Sequence, residues 1–428
     1  MAYLRNYVIV QRSAVGIYKR LVTDAYSVRW ILKLNKAGTL TLELPSAFCS
    51  SAVGGYGISD FEADDQFLLY RSFGNGLALS VVGESPFHLV KAEARRRDDG
   101  KRTVYIEAET ALGFLSRRIN PYDAEDGNSD FKDNTLTCDD LSKLLVRNNY
   151  LAGAGSYISD PDPTRNLSAY IQVQADAGAI APAPAYTGSL ENAGILSEIQ
   201  KIADYAAGKG IPMFFDMVMV SENPYRLEFR TYASQRGIDR TQATGGANAF
   251  VVVDNVNVAD YSLVFDWSDS LTRVYAGSNS GTGAAKDYEV ATDPNLAALL
   301  AVSPFALRED FVSSNGEDTD EVLVEAEAEL NARRAVFQAN GLLTDNLISQ
   351  YGQAFGFGDK VTVFLEGLSF DAFIDTESGT LENGQEKLEV GFNTEATLKR
   401  SSGTLGTIVA GMGSLRKTVN LLKRREHN

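Results

Sequence analysis

The chain reads as mainly β, with an α+β part in the middle and a helix at the end. Three observations predict this. Short runs alternate apolar and polar residues over roughly the first 110 positions and again after 249. Glycines number 37 against 11 prolines, and aromatics reach 10%, which suits strands joined by turns. Helical spacing is confined to stretches near 137–149, 191–207, 320–340 and 405–422.

The first strands are Tyr7–Val10 and Val28–Leu34. The second alternates Val28, Trp30, Leu32 and Leu34 against Arg29, Ile31 and Lys33. A turn at Asn35–Gly38 leads into Thr39–Leu44, with leucine at every second place, a hairpin with one buried face. Phe67–Arg71, Ser80–Glu84, Val90–Arg97 and Arg102–Ala108 continue the pattern, the last two paired across Asp98–Lys101. So many strands without a helix predict a barrel or sandwich over 1–115.

Residues 116–248 predict a different, α+β part. Thr137 is a good N-cap with Asp140 three residues on, and Leu141, Leu144 and Leu145 form an apolar stripe up to Asn148–Asn149. The segment 152–188, rich in Ala, Gly, Pro, Ser and Asp, reads as a surface loop or insertion. A helix from Glu191 to Ala207 aligns Ile195, Ile199 and Ile202, and Gly208 and Gly210 stop it. The strands Met213–Val220 and Tyr225–Tyr232 follow.

Residues 249–398 predict a second strand-rich domain. Ala249–Val253, Ser262–Trp267, Thr272–Gly277 and Asp287–Val290 are expected to complete a barrel with Val361–Leu365, Leu368–Asp375 and Lys387–Val390. A helix is expected over 320–340, with Glu329 four residues before Arg333 as an ion pair and Gly341 as its stop. Gly358–Asp359 and Asn383–Gly384 are turns. Residues 399–428 predict a C-terminal amphipathic helix. Its seam of Leu405, Ile408, Met412, Leu415, Val419 and Leu422 is the candidate partner-binding surface, on the chain's own fold or on a neighbour.

Composition excludes several functions. The formal charge of −16 argues against a nucleic-acid reader. Cys49 and Cys138 make no disulfide framework and read as free structural thiols. No signal peptide is expected, and no stretch of ~18 apolar residues predicts a membrane span. His88 and His427 are the only histidines, and His88 reads as structural. No hydrolase, zinc or phosphate-loop motif appears; the run Gly277–Gly283 lacks the Lys-Ser/Thr such a loop needs. The acidic run Asp123–Asp130 has its glycine misplaced for a calcium loop. Neither cofactor nor metal is expected, and no catalytic residue is identified.

The order of features carries a resemblance. Trp30, Asn35, Gly38, Leu44–Pro45 and Arg71 precede Leu115, Arg117 and Arg118. A helix, a hairpin and Gly237–Thr241 follow, then a helix, Gly358–Asp359, Val361, Val363 and a hairpin ending at Gly391. Over about residues 7–395 this order resembles the tail hub (baseplate hub) proteins of long-tailed, siphovirus-like bacteriophages. The resemblance implies two similar small β-barrel domains flanking a helix-plus-hairpin domain. It implies a structural protein rather than an enzyme: a homotrimeric ring at the virion tail tip that adapts a sixfold tube to a threefold tip. Its implied partners are the distal tail or tail tube protein and a tape-measure or central tip or fibre protein, with DNA passing through unbound. The competing expectation is a carbohydrate-binding or carbohydrate-cleaving β-rich surface or receptor-binding protein; a cleaving one would need two carboxylates facing across one cleft.

Overall fold

The computed structural model describes residues 7–394 apart from 48–54, 74–77, 97–99, 101, 122–134, 152–162, 178–183, 189, 191–192, 254–255, 279–287, 315–318, 334, 345–350, 353 and 383–384. The C-terminal seam from Leu405 to Leu422, Cys49, the run Asp123–Asp130 and the turn Asn383–Gly384 therefore lie outside the described residues, as does most of Gly277–Gly283.

The first third is β1 (Tyr7–Arg12), β2 (Tyr18–Val22), β3 (Ser27–Lys33), β4 (Lys36–Pro45), β5 (Gln66–Phe73), β6 (Ala78–Val81), β7 (Phe87–Arg96) and β8 (Arg102–Thr110). The expected strands are present except that the one expected over Ser80–Glu84 ends at Val81, where Val82–Glu84 turns as a short 3-10 helix through Gly83 at φ 71°; β2 is an addition. Its outward Tyr18 and Leu21 hide the apolar alternation that marks the others.

The middle part has two helices, α1 (Cys138–Tyr150) and α2 (Ile195–Gly208). They bury Leu141, Leu145, Val146, Ile195, Ile199 and Ile202 against the hairpin of β10 (Met213–Glu222) and β11 (Tyr225–Ala233). The capping box expected at Thr137 does not form. The Thr137 hydroxyl donates instead to Asp139 Oδ1 at 2.7 Å, and Asp140 pairs with the buried Lys143 at 3.3 Å. The segment 152–188 is not simply a surface loop. Within it β9 (Ile171–Val173) adds to β11 in parallel, and Tyr186 is fully buried beside Tyr205.

The last third holds β12 (Asp239–Arg240), β13 (Val251–Val253), β14 (Val258–Asp266), β15 (Arg273–Ser278), β16 (Tyr288–Thr292), α3 (Leu296–Val302), β17 (Glu309–Ser314), α4 (Thr319–Ala332), β18 (Val336–Leu343), β19 (Lys360–Leu365), β20 (Leu368–Glu382) and β21 (Gln385–Thr394). Two expectations are corrected here. The helix expected over 320–340 ends at Ala332, although Glu329 and Arg333 do pair at 3.5 Å. Beyond it Phe337 and Ala339 alternate inward as β18, and Gly341 lies inside that strand, where an added Cβ would meet Val258 at 3.0 Å. Nor do β15 and β16 join the barrel strands. With β17 they form a separate three-stranded sheet that packs Val274, Ala276 and Ala291 on Val322, Ala326 and Leu330 of α4.

All other strands of the first and last thirds share one fifteen-stranded sheet. Its path runs β14-β18-β21-β20-β3-β4-β8-β7-β5-β1-β2, with β19 on β20 and β12 and β13 on β19. The path has two ends, so no closed barrel is seen among the described strands. The step from β20 to β3 joins the last third to the first: Thr376–Glu382 pairs antiparallel with Ser27–Lys33. One apolar core lies under both halves, from Ile9, Trp30 and Leu42 to Val361, Leu388 and Phe392.

Candidate functional site

Eight consecutive strands of this sheet, β14, β18, β21, β20, β3, β4, β8 and β7, form a band in which every neighbour is antiparallel. Successive side chains of a strand point to opposite faces. The inward face is the apolar core. The outward face is polar and nearly continuous. One row of directly opposed residues crosses it as Asp260, Leu342, Glu389, Ser378, Ile31, Thr39 and Glu109, and ends at His88, which is buried under the middle part. Next to it run Lys387, Thr380, Arg29, Thr41, Glu107 and Lys91. Serine, threonine, asparagine and glutamine dominate the rest. The carboxylates Glu43, Glu93, Glu107, Glu109, Asp260, Asp266, Glu382 and Glu389 outweigh the cations Arg29, Lys33, Lys91, Arg95 and Lys387.

Beneath the β20–β3 step lies a buried polar network. Trp30 Nε1 donates to Glu377 Oε1 at 2.7 Å, and both residues are almost fully buried. Arg71 donates to Glu386 Oε1 at 2.9 Å and to the carbonyl of Tyr351 at 3.0 Å. The Tyr7 hydroxyl donates to the same Glu386 oxygen at 2.6 Å, and the Tyr7 and Trp30 rings lie 5.2 Å apart. Burial pushes the Glu377 carboxyl up, while the Trp30 hydrogen bond and the Arg71 charge hold it down in part. Burial also pushes Tyr7 and Tyr351 well above the usual phenol range. The sequence does carry a signal for this network: Glu377 occupies an inward slot between the inward Gly379 and Leu381 on one side and Ile374 on the other. An acid in an apolar register needs a buried partner. Glu377 is buried and Glu386 half-buried, and both are occupied by these partners rather than facing each other across an open cleft. Among the described residues, no group of three or more His, Cys, Asp or Glu could hold a metal ion.

His88 is packed where β7 meets the middle part. Its ring lies 4.2 Å from that of Phe114, and Nε2 is 3.3 Å from the Tyr225 hydroxyl. Burial pushes its pKa down to about 4. Asp375, at the bulge of β20, is pushed up to about 6, again chiefly by burial. These two groups tilt stability in opposite directions. Unfolded histidine titrates near 6.5, so His88 makes the fold less stable as pH drops from about 6.5 toward 4, by up to ~3 kcal/mol. Unfolded aspartate titrates near 3.9, so the buried Asp375 makes it less stable as pH rises from about 4 to 6, by ~2 kcal/mol. Urea midpoints of the natural chain should thus change little between pH 4 and 6. His88→Gln should expose a downward slope with rising pH, and Asp375→Asn an upward one. Identical slopes in all three proteins would refute this assignment.

The residues from Leu405 to Leu422 cannot be placed on this surface, because they lie outside the described residues. No family model and no curated protein sequence matches the chain. Solved structures do. The 43 kDa tail protein of prophage MuSo2 from Shewanella oneidensis superposes with a TM-score of 0.54 at 10% identity, over 92% of this chain and 100% of that one. The tail protein from Neisseria meningitidis MC58 superposes with a TM-score of 0.52 at 12% identity, over 92% of this chain and 98% of that one. The chain has the fold of phage tail proteins. The resemblance drawn from the sequence is met at the level of the fold, and the likeness extends over nearly the whole length of both tail proteins.

Proposed function

We propose that this chain is a structural subunit of a phage tail hub, placed at the tail tip. Three copies form a ring, and the two strand-rich parts of each copy act as two similar barrel-like units, giving six around the ring. A sixfold tube docks on one side and a threefold tip on the other. The polar face of the eight-strand band is turned to the bore. The observation that carries this reading is that face, on a chain with the tail-protein fold. It is a broad sheet surface with few apolar side chains and an excess of carboxylates. Phosphate binding rests on clustered Lys and Arg, and here the cations are few and interleaved with acids. DNA would pass such a wall without sticking. The partners in this reading are the distal tail or tail tube protein and a tape-measure or central tip protein. The role is non-enzymatic. The seam from Leu405 to Leu422 would engage its sister chains or one of these neighbours.

The test is the mass in solution by light scattering together with particle symmetry by electron microscopy. A three-copy mass and a threefold ring with sixfold pseudo-symmetry are expected. A monomer at every concentration, both alone and mixed with the tube protein, would overturn the reading.

A further inference from the structure

We propose that the C-terminal seam, Leu405 to Leu422, docks on the outer face of the small sheet of its own chain. It covers the sheet of β15, β16 and β17 until one of the tail neighbours named above takes the seam. The contact belongs to the isolated chain, at whatever copy number that chain adopts.

The small sheet has one layer too few. Val274, Ala276 and Ala291 pack on α4. The side chains between them point the other way, and they are not the polar set of a solvated face. Tyr275 stands opposite Val290 on one side and Phe311 on the other, and Tyr288 stands opposite Gly277. Tyr288 is 58%, Phe311 51% and Val290 36% exposed. The Phe311 ring leans over Gly277, where an added Cβ would lie 2.6 Å from it. The connection from α3 to β17 carries the apolar path past the foot of β15, where the Thr272 hydroxyl donates to the carbonyl of Ala306 at 3.0 Å. Phe305 there is 84% exposed and Leu307 41%. A sheet with apolar side chains on both faces calls for a layer on each.

Three observations name the occupant. The first is where the chain goes. Asn393 pairs with Gln338 of β18, so the chain leaves the main sheet close to Val336. Val336 lies a few residues past the end of α4, and there the Leu271 N–H donates to the carbonyl of Arg333 at 2.7 Å, at the foot of the small sheet. The residues from 395 to 404 span up to ~35 Å when extended, ample reach from one to the other.

The second is charge. Seven cations and two acids give residues 395–428 a net +5, whereas four cations and twelve acids give residues 271–333 a net −8. Opposite signs of this size draw the two segments together. The third is shape. As a helix, 405–422 would be ~27 Å long with its apolar residues along one side. The six residues of β15 offer ~20 Å of sheet, and Phe305 and Leu307 lengthen that path.

Photo-crosslinking in the full chain tests this. A benzophenone amino acid replaces Phe311 in one variant and Ile17 in another. Ile17 is 67% exposed but lies beside β2, at the far end of the main sheet. Light and heavy-isotope chains are mixed in equal amounts before irradiation. The probe at 311 should join peptides from 405–422 of the same chain, several-fold more than the probe at 17 does. Adding Ile408→Asp with Leu415→Asp should cut that product several-fold, while a cooperative urea transition shows the fold intact. Independently, cutting the chain after Arg400 should raise the binding of an apolar dye several-fold, and Phe305→Ser with Phe311→Ser should abolish the gain. Products at 311 that join light to heavy chains would mean that a second copy covers the face. No tail product, or a dye signal that ignores the truncation, would mean that the tail does not. Each of these outcomes overturns the proposal. The hub reading stands or falls separately, on the mass and symmetry of the particle.

Discussion

Gly379→Ala should destabilise the protein by about 3 kcal/mol, the upper end of what overpacking a core costs. A Cβ at this position would lie 1.9 Å from the Trp30 ring. The indole is 1% exposed and has no room to retreat. If it shifts, Nε1 leaves Glu377, and a buried acid loses its donor. The damage falls on the β20–β3 step, where the first and last thirds of the chain are stitched together. Urea unfolding followed by tryptophan fluorescence reads it directly. Of the two tryptophans, Trp30 is buried and Trp267 is exposed, so the spectral change reports mainly on the seam. Shrinking the indole in Gly379→Ala with Trp30→Phe should recover part of the loss. An unchanged midpoint in Gly379→Ala would show that the two strands are not packed in this register.

Arg71→Met should cost about as much or more, ~3–5 kcal/mol, because it leaves a buried acid without its counter-charge. Glu386 would keep only the Tyr7 hydroxyl, and Glu377 would lose the positive charge that holds its carboxyl down. Two features separate this from simple loss of packing. Adding Glu386→Gln should return a large part of the stability, since the unpaired charge is then removed. The deficit should also shrink as pH falls, because the Glu377 carboxyl, raised by burial, takes up its proton and ceases to need the Arg71 charge. A deficit that ignores both pH and the second substitution would refute the electrostatic account.

Much of the sheet was legible because one face is buried. Val28, Trp30 and Leu32, or Leu40, Leu42 and Leu44, announce their strands by period alone. The helix at 320–332 was overextended for a physical reason: good helix formers up to Arg334 masked the change of period at Val336. Phe337 and Ala339 followed by Gly341 were the strand signal. Local pattern could not show that β15 and β16 leave the main sheet, because β17, their partner on the other side, lies over thirty residues along the chain. It also could not show the polar face as a surface. Thr39, Ser378 and Asn340 each look like ordinary solvated positions, and only the register sets them in one plane. The buried network is the sharpest case. Trp30 and Glu377 are 347 residues apart, and nothing within a strand's length of either names the other.

That separation has a consequence for how the protein is made. A ribosome adds ~5–20 residues per second, so β3 waits on the order of 20–70 s before its partner in β20 emerges. Throughout that interval β3, already paired with β4 on one side, displays its other edge unpaired with Trp30 at its centre. Arg29 and Lys33, on its outward face, keep that strand from recruiting a neighbouring polysome's identical one, since like charges would oppose each other across the pairing. The first third therefore waits for its partner strand through most of translation, and its outward charges guard the waiting edge in a crowded cytosol.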